Sequence, residues 1–175
     1  MTQQRTDGTP SAEPATAYLE ALRERLAADG CKVTATPWDE HQAVIGSRSD
    51  RKARWFGTKV QLFVLAAAVP QVDDALLANF TGWATEYAGD LRGGLPGARN
   101  ALMVLPTLIS GNVQPSATQW AAADARILGT TVIGRPVVVH TPAPGAGRAT
   151  MYRGGVVWGG MFTTRVLEKA SRYYP

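Results

Sequence analysis

Side chains able to do chemistry are unevenly spread along this 175-residue chain. Beyond Asp90 the only carboxylates are Asp124 and Glu168, against nine cations: Arg92, Arg99, Arg126, Arg135, Arg148, Arg153, Arg165, Lys169 and Arg172. Residues 91–175 therefore carry a net +7. Residues 1–90, with nine cations and twelve carboxylates, carry a net −3. Hydrolytic, metal-dependent and acid–base chemistry draws on clustered carboxylates, histidines or a thiolate, and the basic C-terminal half has few of any. His41 and His140 are far apart in sequence and belong to no Ser-His-Asp or Cys-His signature. Each reads as a surface or hydrogen-bonded histidine beside a strand. The lone Cys31 excludes an intramolecular disulfide and a cysteine-based metal cage.

The most site-like stretch is Arg48-Ser-Asp-Arg51-Lys52-Ala-Arg54-Trp55-Phe56. Four cations, Arg48, Arg51, Lys52 and Arg54, interleave with Trp55 and Phe56, a combination suited to gripping phosphates and stacking on a base or a peptide. Against it stands a solvated hairpin tip whose two aromatics fold back onto the core. That reading takes precedence, because no known nucleic-acid module accompanies the cluster. Gly145–Thr150 lacks the Gly-Lys-Ser/Thr ending of a phosphate loop, and Gly154–Gly160 lacks the Gly-x-Gly-x-x-Gly spacing. Fourteen of the eighteen cations are arginine. Arginine forks suit phosphate, but a GC-rich coding bias produces the same richness, and net charge speaks to solubility rather than fold. The irregular spacing from Arg92 to Arg172 favours dispersed, paired arginines.

These residues must be held by elements that periodicity lays out. Residues 1–13 show no apolar pattern and are expected to be a flexible lead-in to a single domain over 14–175. A first helix is expected from an N-cap at Thr16, with Tyr18, Leu19, Leu22 and Leu26 on its apolar stripe and Gly30 ending it. Strands follow at Cys31–Thr36, His41–Arg48 and Lys59–Val69, the last apolar on both faces. A second helix begins at Asp73-Asp74 and aligns Leu76, Phe80, Trp83, Tyr87 and Leu91 on one stripe, expected to face Val60, Leu62 and Val64. Further on come a strand at Ala101–Ile109, whose Pro106 points to an edge or a strand end, a short helix from Pro115 and a strand at Pro136–His140. A β-prone, glycine-broken run at Thr150–Phe162 and a terminal helix at Thr163–Tyr173 complete the pattern. The expected class is α+β: one sheet with an antiparallel three-strand meander and the helices packed on one face.

The order α-β-β-β-α-β over roughly the first 110 residues resembles the core of the PD-(D/E)xK nuclease-like superfamily. The resemblance implies a divalent-metal site, with one acid near the start of the second strand and Glu-x-Lys or Asp-x-Lys on the third. Asp39 or Glu40 stands where the first acid belongs. The third strand instead reads Lys59-Val60-Gln61, with no carboxylate from Arg51 to Pro70. No metal, no cofactor and no nuclease activity are therefore expected; fold does not imply function.

No apolar run approaches the roughly 20 residues of a membrane span, and the polar N-terminus shows no secretory signal, so a cytoplasmic location is expected. Five tryptophans and the apolar strands point to self-association as a homodimer. The function expected is a non-enzymatic accessory or protein-interaction domain. The alternatives are a nucleic-acid-binding domain using the basic hairpin and basic C-terminal half, and an enzyme or small-ligand binder without a standard motif.

Overall fold

The computed structural model describes residues 12–51, 59–92, 100–128, 132–156 and 160–175. The chain runs α1 (Glu13–Ala28), β1 (Lys32–Trp38), β2 (His41–Arg51), β3 (Lys59–Ala68), α2 (Asp74–Leu91), β4 (Asn100–Ser110), α3 (Pro115–Ala123), β5 (Arg126–Leu128), β6 (Val132–Gly134), β7 (Val137–His140), β8 (Arg148–Met151), a 3-10 turn (Gly160–Phe162) and α4 (Thr163–Tyr173). The strands form one mixed sheet in the order β1-β2-β3-β4-β6-β5, with β7 also beside β4 and β8 beyond β7. The antiparallel meander β1-β2-β3 is present. β4 then joins β3 in parallel, and β6 and β7 join β4 in parallel, so the sheet is larger and more parallel than the meander alone.

Local signals explain most element ends. α1 starts at Glu13, with a proline in its first turn. Thr16, the expected N-cap, instead lies inside that turn, and its hydroxyl donates to the Ala12 carbonyl. Gly30, at φ +78, closes α1 as expected. Its N–H donates to the Ala27 carbonyl while the Cys31 N–H reaches Leu26, the paired bonds of a Schellman motif. Asp73 caps α2 by accepting from the Leu76 N–H at 2.7 Å.

The apolar run of β3 is buried from Val60 to Ala67, and a strand buried on both faces needs a cover on each. Leu19, Leu22 and Leu26 of α1 and Val166 and Ala170 of α4 pack with Val44, Val60, Leu62 and Val64. Leu77, Phe80, Ala84 and Ala88 of α2 and Ala117 and Ala121 of α3 pack with Ile45, Phe63, Leu65 and Val104. The helices thus occupy both faces, not one, and α2 meets Phe63 and Leu65 rather than Val60, Leu62 and Val64. The stripe of α2 is also turned. Its buried row runs through small residues that bring the helix close to the sheet, leaving Trp83 and Tyr87 half-buried at its flank and Leu91 exposed. Gly46 has the same role under α1: a Cβ there would lie 2.8 Å from a Leu26 methyl.

Pro106 does not mark an edge, for β4 is central. The Val104 carbonyl accepts from the Arg135 N–H, and the Ser110 carbonyl from Thr141. By the two-residue period, Pro106 therefore faces the same side, opposite the break between β6 and β7. Its missing N–H forfeits no ladder bond there. The expected strand at Pro136–His140 is β7; β5 and β6 were not expected. Of the β-prone run from Thr150, Thr150 and Met151 end β8 and the other described residues are not in a strand.

Candidate functional site

Of the six residues expected to form a binding hairpin, Lys52, Arg54, Trp55 and Phe56 lie outside the described residues, as does the side chain of Arg51. Arg48, expected both to end the second strand and to open the hairpin tip, lies inside β2 (His41–Arg51), and its guanidinium is already engaged. Nη1 donates to the Asp29 carbonyl at 2.6 Å and pairs with the Asp29 carboxylate, while Nη2 meets Asp50 at 2.9 Å.

Arg48 belongs to a charged network that the sequence did not reveal. Asp29, at the C-terminal end of α1, also accepts from Lys169 Nζ at 2.6 Å and from the Tyr173 hydroxyl at 2.7 Å, with Arg172 at 3.4 Å. Asp50 is shared between Arg48 and Arg165, and Arg165 and Arg172 both reach Glu168. A carboxylate at a helix C-terminus opposes the helix dipole, and the surrounding cations offset that. Burial alone would raise the Asp29 pKa, but hydrogen bonds from Lys169 and Tyr173 and the charge of Arg48 prevail and hold it at about 2. The same balance of burial against Arg48 and Arg165 lowers Asp50. Burial raises the Tyr173 hydroxyl, reinforced by its bond to Asp29, and burial also raises the Cys31 thiol 3.5 Å away. A carboxylate so held is no proton acceptor near neutrality, and a thiol so raised is a poor nucleophile. The network acts as a clamp fastening α4 to α1 and β2. The spacing of Arg165, Glu168, Lys169 and Arg172 on one helix face was its only local signal.

The residues of the nuclease resemblance are not brought together. Asp39 occupies the β1–β2 turn at φ +50, whereas Lys59 pairs with Arg51 at the far end of β2, roughly 30 Å away at strand rise. Among the described residues no group of three or more His, Cys, Asp or Glu side chains is placed to hold a metal. The histidines are separate too: the ring of His41 lies 5.9 Å from that of Trp38, and His140 Nε2 is 3.2 Å from the Gly111 carbonyl. The second-half cations are spread over several elements. Arg126 lies over the Trp120 ring at 4.0 Å. Arg135, almost fully buried, donates to the Tyr152 carbonyl at 2.9 Å and to Thr163, and burial lowers its pKa.

A cleft of about 440 Å³ opens at the end of the meander, lined by Gly30, Lys32, Ser47, Arg48, Ser49, Gln61, Phe63, Leu91 and Arg92. None of these described lining residues is a carboxylate. The Gln61 amide donates to the Arg92 carbonyl at 3.3 Å, and Arg92 Nη1 is buried without a hydrogen-bond partner. No helix among the described residues is long and apolar enough to cross a membrane. No protein-family model matches this sequence, and no curated protein is significantly similar to it.

Proposed function

We propose that this chain is a non-enzymatic accessory domain that takes up an extended segment of a partner protein along the edge of β1. The observation that carries this reading is that, among the described residues, β1 pairs with β2 alone, and most residues of β1 are exposed. The Asp39-Glu40 turn closes on the pair Trp38–His41. A two-residue hairpin makes that pair hydrogen-bonded, so Thr36 and Thr34 also turn their backbone groups inward and Val33 and Ala35 turn theirs outward. Pro37 falls on the outward side, where its missing N–H disturbs no ladder bond and stops pairing from extending further. A partner strand would gain main-chain hydrogen bonds at Val33 and Ala35, the mode known as strand addition. The nucleic-acid alternative draws less support, since Arg48, Arg165, Lys169 and Arg172 are engaged with Asp29, Asp50 and Glu168 and the other described second-half cations are spread over several segments. A cytoplasmic setting and a homodimer belong to the same proposal.

Ala35→Pro tests it, removing an outward N–H while leaving the β1–β2 ladder intact. A photo-crosslinking residue at position 35 should capture a partner chain, or a second copy, that the same residue at exposed Gln119 does not. The Pro variant should lose the complex in sedimentation velocity with its melting unchanged. Equal capture from both positions, or a complex that survives Ala35→Pro, would overturn the reading.

A further inference from the structure

We propose that the cleft at the end of the meander binds a small organic phosphate with an apolar body, a role independent of strand addition. Its floor is two cross-strand rows on one face of the sheet. Lys32, Ser47 and Phe63 are successive register partners across β1, β2 and β3, and Ser49 partners Gln61 in the next row. Partners in register project to the same face. The wall is the end of α2, where Leu91 is 51 % exposed, one of two large apolar side chains so placed among the described residues.

The charges in this cleft are unbalanced. Arg48 turns its guanidinium to Asp29 and Asp50, but none of the described ion pairs includes Lys32 or Arg92. Arg92 also lines the cleft, although its Nη1 is closed off from solvent without a hydrogen-bond partner, so what a cleft ligand meets is the charge of the guanidinium rather than that N–H. Two cations, two serine hydroxyls and a glutamine amide offer more donors than the two oxygens of a carboxylate use, and suit the three of a phosphate monoester. Phe63 and Leu91 beside them favour a ligand whose phosphate is joined to an apolar group. The cleft volume of about 440 Å³ falls within the roughly 300–1,000 Å³ of small-molecule sites.

The test is a titration of the isotope-labelled full chain with phenyl phosphate at low salt, followed by backbone amide NMR. Saturable shifts should centre on Lys32, Ser47, Ser49 and Gln61. Inorganic phosphate, which lacks the apolar body, should bind about tenfold more weakly, and exposed Lys32→Ala should weaken phenyl phosphate by about tenfold with unchanged melting. Arg92→Gln provides a second variant from the opposite wall. Shifts that never saturate or centre elsewhere would overturn the proposal. So would inorganic phosphate binding as tightly as phenyl phosphate, or affinity indifferent to Lys32→Ala.

Discussion

Among the described residues, Asp29 gathers more long-range side-chain hydrogen bonds than any other. Its carboxylate accepts from Arg48, Lys169 and Tyr173, and Lys169 is almost wholly buried. Asp29→Asn would leave that ammonium without its charge partner. Removing one member of a buried pair costs about 3–5 kcal/mol, and because Asp29 keeps some exposure a loss near about 3 kcal/mol is expected in urea melts. A loss below about 1 kcal/mol would show that the clamp contributes little. The pH dependence has a definite sign. The folded pKa of about 2 lies below the unfolded value of about 4. The stabilisation is therefore complete above about pH 4 and is lost as the pH falls through 2. Wild type and Asp29→Asn should converge in stability over that window, and parallel curves would refute the assignment.

At the scale of elements, α2 shows how packing redirects a stripe. Phe80 is fully buried and meets Trp38 edge-on at 4.5 Å, while Trp83 lies half-buried with Phe80 at 5.4 Å and Tyr87 at 5.3 Å. Read by its largest side chains, the helix places Phe80, Trp83 and Tyr87 together against the sheet, where truncating Trp83 would cost about 3–5 kcal/mol. The structure moves that cost to Phe80. Phe80→Ala should lose about 3–5 kcal/mol and Trp83→Ala roughly half as much, part of it from the ring contacts. Chemical denaturation of the two variants side by side decides the matter, and a larger loss for Trp83 would mean the helix is rotated from its observed face.

For the whole molecule, the element order of the nuclease-like core is present from α1 to β4, but Asp39 and Lys59 are at opposite ends of the β2–β3 pair. A carboxylate and a lysine that far apart cannot share a metal-bound phosphate. Plasmid and oligonucleotide incubated with magnesium or manganese should remain uncut. Metal-dependent cleavage that disappears in Asp39→Ala would reverse this conclusion.

Local pattern alone determined where α1 ends, where α2 begins and where β3 runs, because a helix stop at Gly30, a cap at Asp73 and an apolar run from Leu62 each act through neighbouring residues. It also determined the antiparallel meander, since three strands with short connections have few other ways to pair. Tertiary structure decided the rest. The run Leu62–Ala67 is apolar on both faces, so no periodicity says which face receives α1 and which α2. Pro106 looks like an edge residue until the β6–β7 break is seen beside it. Lys169 finds Asp29 from 140 positions away, and nothing in a local window records such a partner. The same holds for Lys32 and Arg92, which become one cleft only when β1 and the end of α2 are brought together by the fold.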